Sequence, residues 1–311
     1  MGLTVAGMMV VYSLQEVDGI TIAEASWAHM APTQTDWDDA FANMAHIENA
    51  HALPDFWAER AATYRDSLAS EKLTQSIAYG DGARQRLDII WPDGDAKGLA
   101  VFVHGGYWMR LDKSYWSDLA EGARARGWAV CMPSYTLTPD ARISEITSEI
   151  GRAVTVAAQH VGGPICLAGH SAGGHLVSRM LCDDTPLSAE VQARIIHCLS
   201  ISGLHDLRPL MKTKMNETLR LDTAEALLES AALHAPSGPT PLTCWVGGGE
   251  RPEFIRQSKL MAMIWQGLDV PTRCHIDGAH NHFTILEGLK EPHSEITNVF
   301  LGLTPKEGNA A

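Results

Sequence analysis

Apolar and polar positions form two kinds of pattern along most of the chain. Short apolar runs predict buried strands, and segments with an apolar residue at every third or fourth position predict helices. The predicted strands are residues 73–80, 84–91, 98–106, 128–134, 164–169, 194–203, 241–249 and 270–277. The predicted helices between and after them are residues 114–126, 143–160, 172–183, 253–267 and a C-terminal segment.

This alternation of strands and helices predicts an α/β fold with a mostly parallel, eight-stranded sheet and helices on both faces. The first two strands are expected to form an antiparallel hairpin across Asp81-Gly82 at one edge of the sheet. Ligands of such sheets bind outside the carboxyl ends of the strands. We therefore expect the site in the loops that follow residues 103, 169, 247 and 277.

The segments outside the alternation predict the domain organisation. The expected parts are an N-terminal extension (residues 1–35), a helical lid segment (36–72), an α/β domain (73–303) with a helical insertion near 206–234, and a C-terminal tail (304–311). Residues 3–12 are apolar but lack a basic segment and a cleavage pattern, and they are too short to span a bilayer. A strand, or a translation start at Met8 or Met30, is a better interpretation than a signal peptide.

Charge and cysteine usage narrow the function classes. Lys and Arg total 24 against 37 Asp and Glu, a net charge of −13, which argues against a general binder of nucleic acid or of anionic membranes. The six cysteines form no C-x-x-C pair and lie mostly in apolar runs, so they predict neither disulfides nor a zinc site. We expect a cytoplasmic protein with a small-molecule substrate and no metal or organic cofactor. A homodimer is compatible with the sequence.

The sequence Gly169-His170-Ser171-Ala172-Gly173 follows a predicted strand and precedes a predicted helix. This context is typical of a nucleophile elbow, in which a sharp, strained turn exposes the serine. Ser171 would stand at a helix N-terminus, where the dipole and free amides favour an anionic intermediate. The alternative is a glycine-rich turn with an incidental serine. His170, beside the serine, is a candidate substrate contact.

A second motif, His104-Gly105-Gly106-Tyr107-Trp108, follows the strand residues 99–103. The amides of Gly105 and Gly106, together with that of Ala172, are expected to form an oxyanion hole. Tyr107 and Trp108 are candidate walls of a small acyl pocket. The alternative is that both aromatic side chains anchor the loop in the core.

A nucleophilic serine requires a base and a group that orients the base. In this topology the acid and then the histidine follow the serine along the chain. Glu250, at the end of WVGGGE, is the preferred acid, with Glu253 and Asp277 as rivals. His282 is the preferred base and His280 its rival. A metal site at this histidine pair is disfavoured because no third ligand follows at standard spacing.

With HGGYW, GHSAGGHL, WVGGGE and HNHF in this order, the chain resembles the α/β-hydrolase superfamily. More narrowly, it resembles the kynurenine formamidase (arylformamidase) group, close to the hormone-sensitive-lipase-type esterases. That likeness rests on ANMAHIENA followed by FWAERAATYR, on HGGYW-x-x-x-x-K, on ISGLHDLRPL and on PEFIRQS, and it covers roughly residues 36–300. One departure is the acid, because such families more often carry Asp where this chain has Glu250.

The resemblance implies a serine hydrolase that cleaves a small acyl amide, in particular an aryl formamide such as N-formylkynurenine, through an acyl-enzyme. Ser171 would attack the carbonyl, His282 would take its proton, and Glu250 would orient His282. Residues 36–72 and 206–234 would form lids over the carboxyl end of the sheet. One alternative is a carboxylesterase acting on short-chain esters, and a second is a non-catalytic binding protein with the hydrolase fold.

Overall fold

The computed structural model describes residues 4–5, 8–17, 20–29 and 35–303, which fall into two compact units, residues 1–36 and 37–311. The first unit holds a three-stranded antiparallel sheet of β1 (Thr4–Val5), β2 (Met8–Val17) and β3 (Ile20–His29), with β2 in the middle. The strand expected within residues 3–12 corresponds to β1 and the start of β2. Met30 and the predicted tail, 304–311, lie outside the described residues.

The second unit is built on an eight-stranded sheet in the order β11-β10-β9-β8-β6-β7-β5-β4. Its strands are β4 (Leu73–Ala78), β5 (Arg86–Ile90), β6 (Leu99–Val103), β7 (Ala129–Pro133), β8 (Ile165–His170), β9 (Ile195–Ile201), β10 (Leu242–Gly247) and β11 (Thr272–Asp277). β4 and β5 form the predicted antiparallel hairpin, and β5 is also antiparallel to β7. All other pairings are parallel, which confirms the prediction of a mostly parallel sheet.

The α-helices of this unit differ widely in length. They are α1 (Trp37–Ala40), α2 (Leu53–Ser67), α3 (Glu121–Ala125), α4 (Ile143–His160), α5 (Ala172–Arg179), α6 (Ala189–Gln192), α7 (Asn216–Leu219), α8 (Thr223–Leu228), α9 (Pro252–Gln266) and α10 (Glu295–Phe300). Short 3₁₀ turns cover Asn43–His46, Ala50–Ala52, Ser70–Lys72, Lys113–Tyr115, Ser117–Ala120, Arg208–Lys212, Ala231–Leu233 and Thr284–Lys290. Within the described part of the chain, no helix has both the length and the hydrophobicity needed to cross a bilayer.

The predicted helix over residues 114–126 is wrong in its first half, where the structure has two 3₁₀ turns and only then α3. The Asp112 carboxylate accepts a hydrogen bond from the Ser114 amide at 3.0 Å and starts a separate turn. Trp116 then leaves helical geometry, and its buried ring packs against Trp57 with 4.8 Å between ring centroids. This contact with a distant segment overrides the local helical pattern.

Helices cover both faces of the sheet, as predicted. On one face, α4, α5 and α9 form a core with inward side chains such as Ile150, Val177 and Val101. On the other face, α3, α10 and the 284–290 turn pack against side chains such as Phe102. The central strands β6, β7 and β8 are buried at every position, so the sheet is a rigid support for the loops at its carboxyl edge.

The substitution Ile150→Ala should lower the free energy of unfolding by about 2–5 kcal/mol, because the fully buried side chain would leave a cavity between α4 and the sheet. The control is Ser148→Ala, at an exposed position of the same helix, which should change it by less than about 0.5 kcal/mol. Urea unfolding followed by circular dichroism measures both variants. Equal losses in Ile150→Ala and Ser148→Ala would contradict this assignment of the core.

Candidate active site

Ser171 occupies a sharp turn between β8 and α5, with φ of 55° and ψ of −115°. A Cβ atom added to Gly169 would lie 2.1 Å from the carbonyl oxygen of Gly173, and one added to Gly173 would lie 2.0 Å from that of Val103. Only glycine therefore fits on either side of the serine. The strained turn expected from the sequence is present, and the amide of Ser171 ties it to β9 by donating to the Ile201 carbonyl at 2.8 Å.

The loop after β6 is also strained. Gly106, Tyr107, Trp108 and Leu111 have positive φ angles of 115°, 53°, 56° and 72°. Such angles are costly for residues with a side chain, and they cluster at functional sites where the surroundings enforce them.

This loop lies directly against the serine. A Cβ atom on Gly105 would approach the Ser171 Cβ to 3.0 Å and the His170 carbonyl oxygen to 2.8 Å. Within residues 35–303, the amides of Gly105 and Gly106 donate to no acceptor, and the Ala172 amide at the first position of α5 has no acceptor either. The three amides predicted for an oxyanion hole are thus unpaired donors beside Ser171.

Glu250 and His282 meet at the carboxyl ends of β10 and β11. His282 Nδ1 lies 2.6 Å from Glu250 Oε2, and both side chains are buried. The other oxygen, Oε1, accepts hydrogen bonds from the Ser202 hydroxyl at 2.5 Å and from the Gly247 amide at 2.8 Å. Because a carboxylate accepts at Nδ1, this nitrogen carries the proton and Nε2 is left as the basic atom of the ring.

The rival residues have other partners. Glu253 binds Arg256 with both carboxylate oxygens at 2.7 Å and also accepts from Gln257 at 2.8 Å. Asp277 lies 3.9 Å from the partly exposed ring of His280. The geometry therefore favours Glu250 and His282 over every alternative weighed in the sequence.

The His282 ring is held between aromatic side chains. Its centroid lies 4.7 Å from that of Phe254, 5.2 Å from that of Phe283 and 4.5 Å from that of His170. His170 Nε2 also donates to the His282 carbonyl oxygen at 2.8 Å. Burial, followed by the positive charge that His282 can carry, lowers the pKa of His170 well below its ordinary value. His170 is therefore a neutral residue that positions the His282 loop.

Ser171 and His282 line one cavity of about 500 Å³. Among the described residues no hydrogen bond yet joins the Ser171 hydroxyl to the His282 imidazole, and such bonds are often long before substrate binds. The walls are mainly apolar and aromatic and come from five regions of the chain, residues 38–57, 105–116, 170–171, 214–215 and 282–283. They include Phe41, Met44, Trp57, Tyr107, Met109, Leu111, Trp116, Met215 and Phe283, with His170 beside the serine and with Asp38, Arg110 and Lys214 as charged members.

Of the two predicted acyl-pocket walls, only Tyr107 lines the cavity, and its hydroxyl donates to the Phe41 carbonyl oxygen at 2.5 Å. The prediction for Trp108 is wrong. Its ring is fully buried in the core beneath the loop, edge-on to His175 with 5.1 Å between centroids. The positive φ angles of the loop turn Tyr107 and Trp108 in different directions, so Trp108 takes the alternative role of a core anchor.

The sequence analysis missed several members of the site. Ser202, the second donor to Glu250, directly follows β9, so its position at a strand end was a usable signal. Phe41 and Trp57 reach the cavity from the segment predicted as a lid, but no local pattern marks these aromatic residues as lining.

Both rings of the histidine pair already have partners, since His282 Nδ1 lies 2.6 Å from Glu250 Oε2 and His280 Nδ1 lies 3.3 Å from Thr284 Oγ1. Among the described residues, Asp183, Asp184 and His234 bring metal-ligating atoms within 4.8 Å of one another. Arg179 already binds both carboxylate oxygens of Asp184 at 2.7–2.8 Å. The cluster is accounted for by this ion pair.

Residues 100–262 match the alpha/beta hydrolase family, and the chain belongs to that family. More narrowly, it resembles kynurenine formamidase. It is 27% identical to the enzyme of that name from Danio rerio over 79% of this chain and 87% of the relative, and 28% identical to that from Salmo salar over 74% and 82%.

Solved structures agree with this classification. A crystal structure from Silicibacter sp. tm1040, described as "a putative thioesterase", is 45% identical, with a TM-score of 0.81 over 86% of this chain and all of that one. Esterase B from Lactobacillus rhamnosis has a TM-score of 0.59 at 18% identity, over 85% of this chain and 96% of its own, and so supports the fold alone. The chain is an enzyme of the α/β-hydrolase type that acts on acyl substrates.

Gly105→Ala should abolish most activity, because its Cβ would push the loop amides away from Ser171. A displacement of about 1 Å near reacting groups can lower a rate roughly a hundredfold. Hydrolysis of p-nitrophenyl acetate measures the effect. The matched control is Gly162→Ala, where the added Cβ meets no atom within 4 Å and the rate should be unchanged. Equal rates in both variants would contradict an oxyanion role for this loop.

Glu250→Gln should lower kcat/KM by roughly 10²–10⁴-fold. Since Ser202 and the Gly247 amide both donate to Oε1, the amide oxygen of Gln will stay with them and its NH₂ group will face His282, which favours the wrong tautomer. The control Glu253→Gln should stay within about threefold, because its partners lie away from the histidine. A larger loss in Glu253→Gln would transfer the acid role to that residue.

Proposed function

We propose that this chain is a serine hydrolase that cleaves aryl formamides such as N-formylkynurenine through a formyl-enzyme. The observation that carries the proposal is an aromatic-lined cavity that ends at Ser171 beside the hydrogen-bonded Glu250–His282 pair. An aromatic wall suits an aryl leaving group. The kynurenine formamidases similar to most of this chain support the same substrate class.

In the proposed reaction, the Ser171 hydroxyl attacks the formyl carbon while His282 Nε2 takes its proton. Glu250 stabilises the resulting imidazolium. The amides of Gly105, Gly106 and Ala172 hold the negative oxygen, and each such donor can contribute about 3 kcal/mol. The arylamine leaves with the proton from His282. Water, activated by the same histidine, then hydrolyses the formyl ester and releases formate.

The two segments outside the sheet are proposed to act as lids, as the sequence predicts. Residues 36–72 contribute Phe41 and Trp57 to the cavity wall, and the insertion near 206–234 contributes Lys214 and Met215. The domain boundaries predicted from the sequence are part of this proposal.

The cytoplasmic location predicted from the sequence is also part of the proposal, and the six unpaired cysteines support it.

A second candidate is the hydrolysis of small esters or thioesters by the same steps. The solved structure described as "a putative thioesterase", which is 45% identical to this chain, favours this candidate. A carboxylesterase acting on short-chain esters would use the same reaction steps. The non-catalytic alternative is disfavoured, because Ser171, Glu250 and His282 are all present and the last two are hydrogen-bonded to each other.

Purified enzyme should hydrolyse N-formylkynurenine, and Ser171→Ala should lower kcat by roughly 10⁴-fold or more. Formate release and the absorbance of the arylamine measure turnover, with p-nitrophenyl butyrate and acetyl-coenzyme A as the ester and thioester comparisons. His280→Ala is the matched control and should retain most activity, because its partly exposed ring lies outside the cavity lining. Ser171-dependent turnover of the ester or thioester without any formamide turnover would establish the second candidate.

A further inference from the structure

The last strand of the large sheet has an open edge. Among the described residues, β11 pairs only with β10. The carbonyl oxygens of Pro271 and Asp277 both accept hydrogen bonds from amides of the β10 segment, at 3.0 and 2.6 Å. Because every second residue of a parallel strand bonds to a given neighbour, the main-chain groups of the odd-numbered residues face β10. Those of residues 272, 274 and 276 therefore point away from the sheet.

These outward main-chain groups are short of partners. The Gln266 side-chain amide donates to the Thr272 carbonyl oxygen at 2.8 Å, as expected for a carbonyl that points away from β10. For the outward amides and carbonyls of Cys274 and Ile276, no hydrogen-bond partner is found among the described residues. Cys274 is only half-buried and Ile276 is exposed. A strand edge of this kind is a template for pairing with another strand.

The side chains of β11 are complementary in charge to those of its own antiparallel copy. Arg273, His275 and Asp277 share one face, because successive side chains alternate across a strand. Within residues 35–303, the exposed Arg273 guanidinium forms no ion pair. The Asp277 carboxylate accepts from the Ala279 amide at 3.2 Å and comes no closer than 3.9 Å to a basic side chain, that of His280. Both charges are thus available to a partner.

We propose that two copies of the chain associate by antiparallel pairing of their β11 edges around a two-fold axis at His275. Arg273 of each copy then lies opposite the partner's Asp277, and Cys274 lies opposite the partner's Ile276. The outward main-chain groups of the second pair exchange N–H···O bonds on both sides of the axis. The charged pairs fall at positions without main-chain hydrogen bonds, where opposite side chains are closest. The inference does not depend on the proposed function.

The neighbouring two-fold registers fit the edge less well. Opposite residues of an antiparallel pair share a face, so the axis must pass through a residue. An axis one residue earlier would need the Thr272 carbonyl oxygen, which already accepts from Gln266. An axis one residue later would pair Cys274 with Gly278, beyond the end of the strand. Only the axis at His275 opposes the guanidinium to the carboxylate.

The surroundings of the edge can supply the rest of an interface. A stable interface buries about 800 Å² per partner, more than a single short strand provides. On the face where α9 packs against β11, Met263, Leu268 and Ile276 are apolar and are exposed by 72%, 46% and 41%. On the other face, the His275 ring is stacked on Trp245 beside a cavity of about 340 Å³ that can accept side chains of the second copy. β11 does not line the active-site cavity, so both copies keep that cavity open to substrate.

Sedimentation velocity of the full chain measures the association. Arg273→Glu should raise the dissociation constant of the dimer at least about tenfold, because it replaces two reciprocal attractive pairs with repulsive ones. Asp277→Arg should act likewise, and the double variant, in which the charges are exchanged, should return to within about threefold of the wild type. The matched control is Arg152→Glu, the same change of charge at an exposed position of α4, which should leave the dissociation constant unchanged. Unfolding temperatures verify that all variants are folded.

A disulfide tests the register. In a Cys274→Ser background the other five cysteines are buried. There, His275→Cys places two thiols opposite each other on the axis, where a Cα separation of about 4.5 Å permits a disulfide. Mild oxidation should give a covalent dimer on a non-reducing gel. Arg273→Cys in the same background is the matched control and should stay uncrosslinked, because its two copies lie roughly 13 Å apart along the strands.

A wild-type protein that remains a monomer at about 100 μM would overturn the inference. Equal effects of Arg273→Glu and Arg152→Glu, or no recovery in the folded double variant, would place any dimer interface elsewhere and overturn it as well. A disulfide in Arg273→Cys but not in His275→Cys would contradict the register. None of these outcomes changes the test of the proposed function, which is read from substrate turnover.

Discussion

The close approach of two backbone segments, the turn after β8 and the loop after β6, is the constraint on which the rest of the site depends. At Gly105, Gly169 and Gly173 the neighbouring backbone leaves no room for a Cβ atom. This packing holds Ser171 at a positive φ and keeps unpaired amides beside it. Because the amides belong to main-chain segments that directly follow strands of a buried sheet, their direction is set before any substrate arrives, which is what electrostatic stabilisation of a transition state requires.

A chain of buried polar groups completes the site. It runs from Ser202 through Glu250 to His282, and His170 then fixes the His282 carbonyl. A buried carboxylate is unstable unless its oxygens are bonded, and here Oε1 has two donors and Oε2 a third. The parallel alignment of β9, β10 and β11 brings these residues together, since each of Ser202, Glu250 and His282 follows the carboxyl end of one of the strands.

The parts of this structure that follow from local sequence could be predicted. Short apolar runs specify the eight strands, and a 3.6-residue period specifies α4. The predicted and observed bounds of α4 coincide. The positions of Ser171, Glu250 and His282 follow from strand ends and from the order of the motifs. The prediction for Trp108 is wrong because side-chain direction in a loop depends on its φ angles, which HGGYW does not reveal.

Contacts between distant segments explain the remaining omissions. Phe41 meets Tyr107 across 66 residues of chain, and Trp57, further along residues 36–72, meets Trp116. Nothing in the local pattern of either segment specifies its partner. The helix expected over residues 114–126 fails for the same reason, since packing of the Trp116 ring decides the local geometry.

The hydrogen bond from Tyr107 to residue 41 ends on a main-chain oxygen. Its acceptor is therefore present whatever amino acids surround that position. The neighbouring residues Ala42, Met44 and Ala45 line the cavity. The hydrogen bond from Tyr107 that anchors their segment does not depend on the side chains of these residues. Natural selection can thus exchange these side chains one at a time and reshape the substrate wall while the attachment to the reactive loop persists. A scaffold of this kind allows related enzymes to diverge in substrate without rebuilding the groups that perform the chemistry.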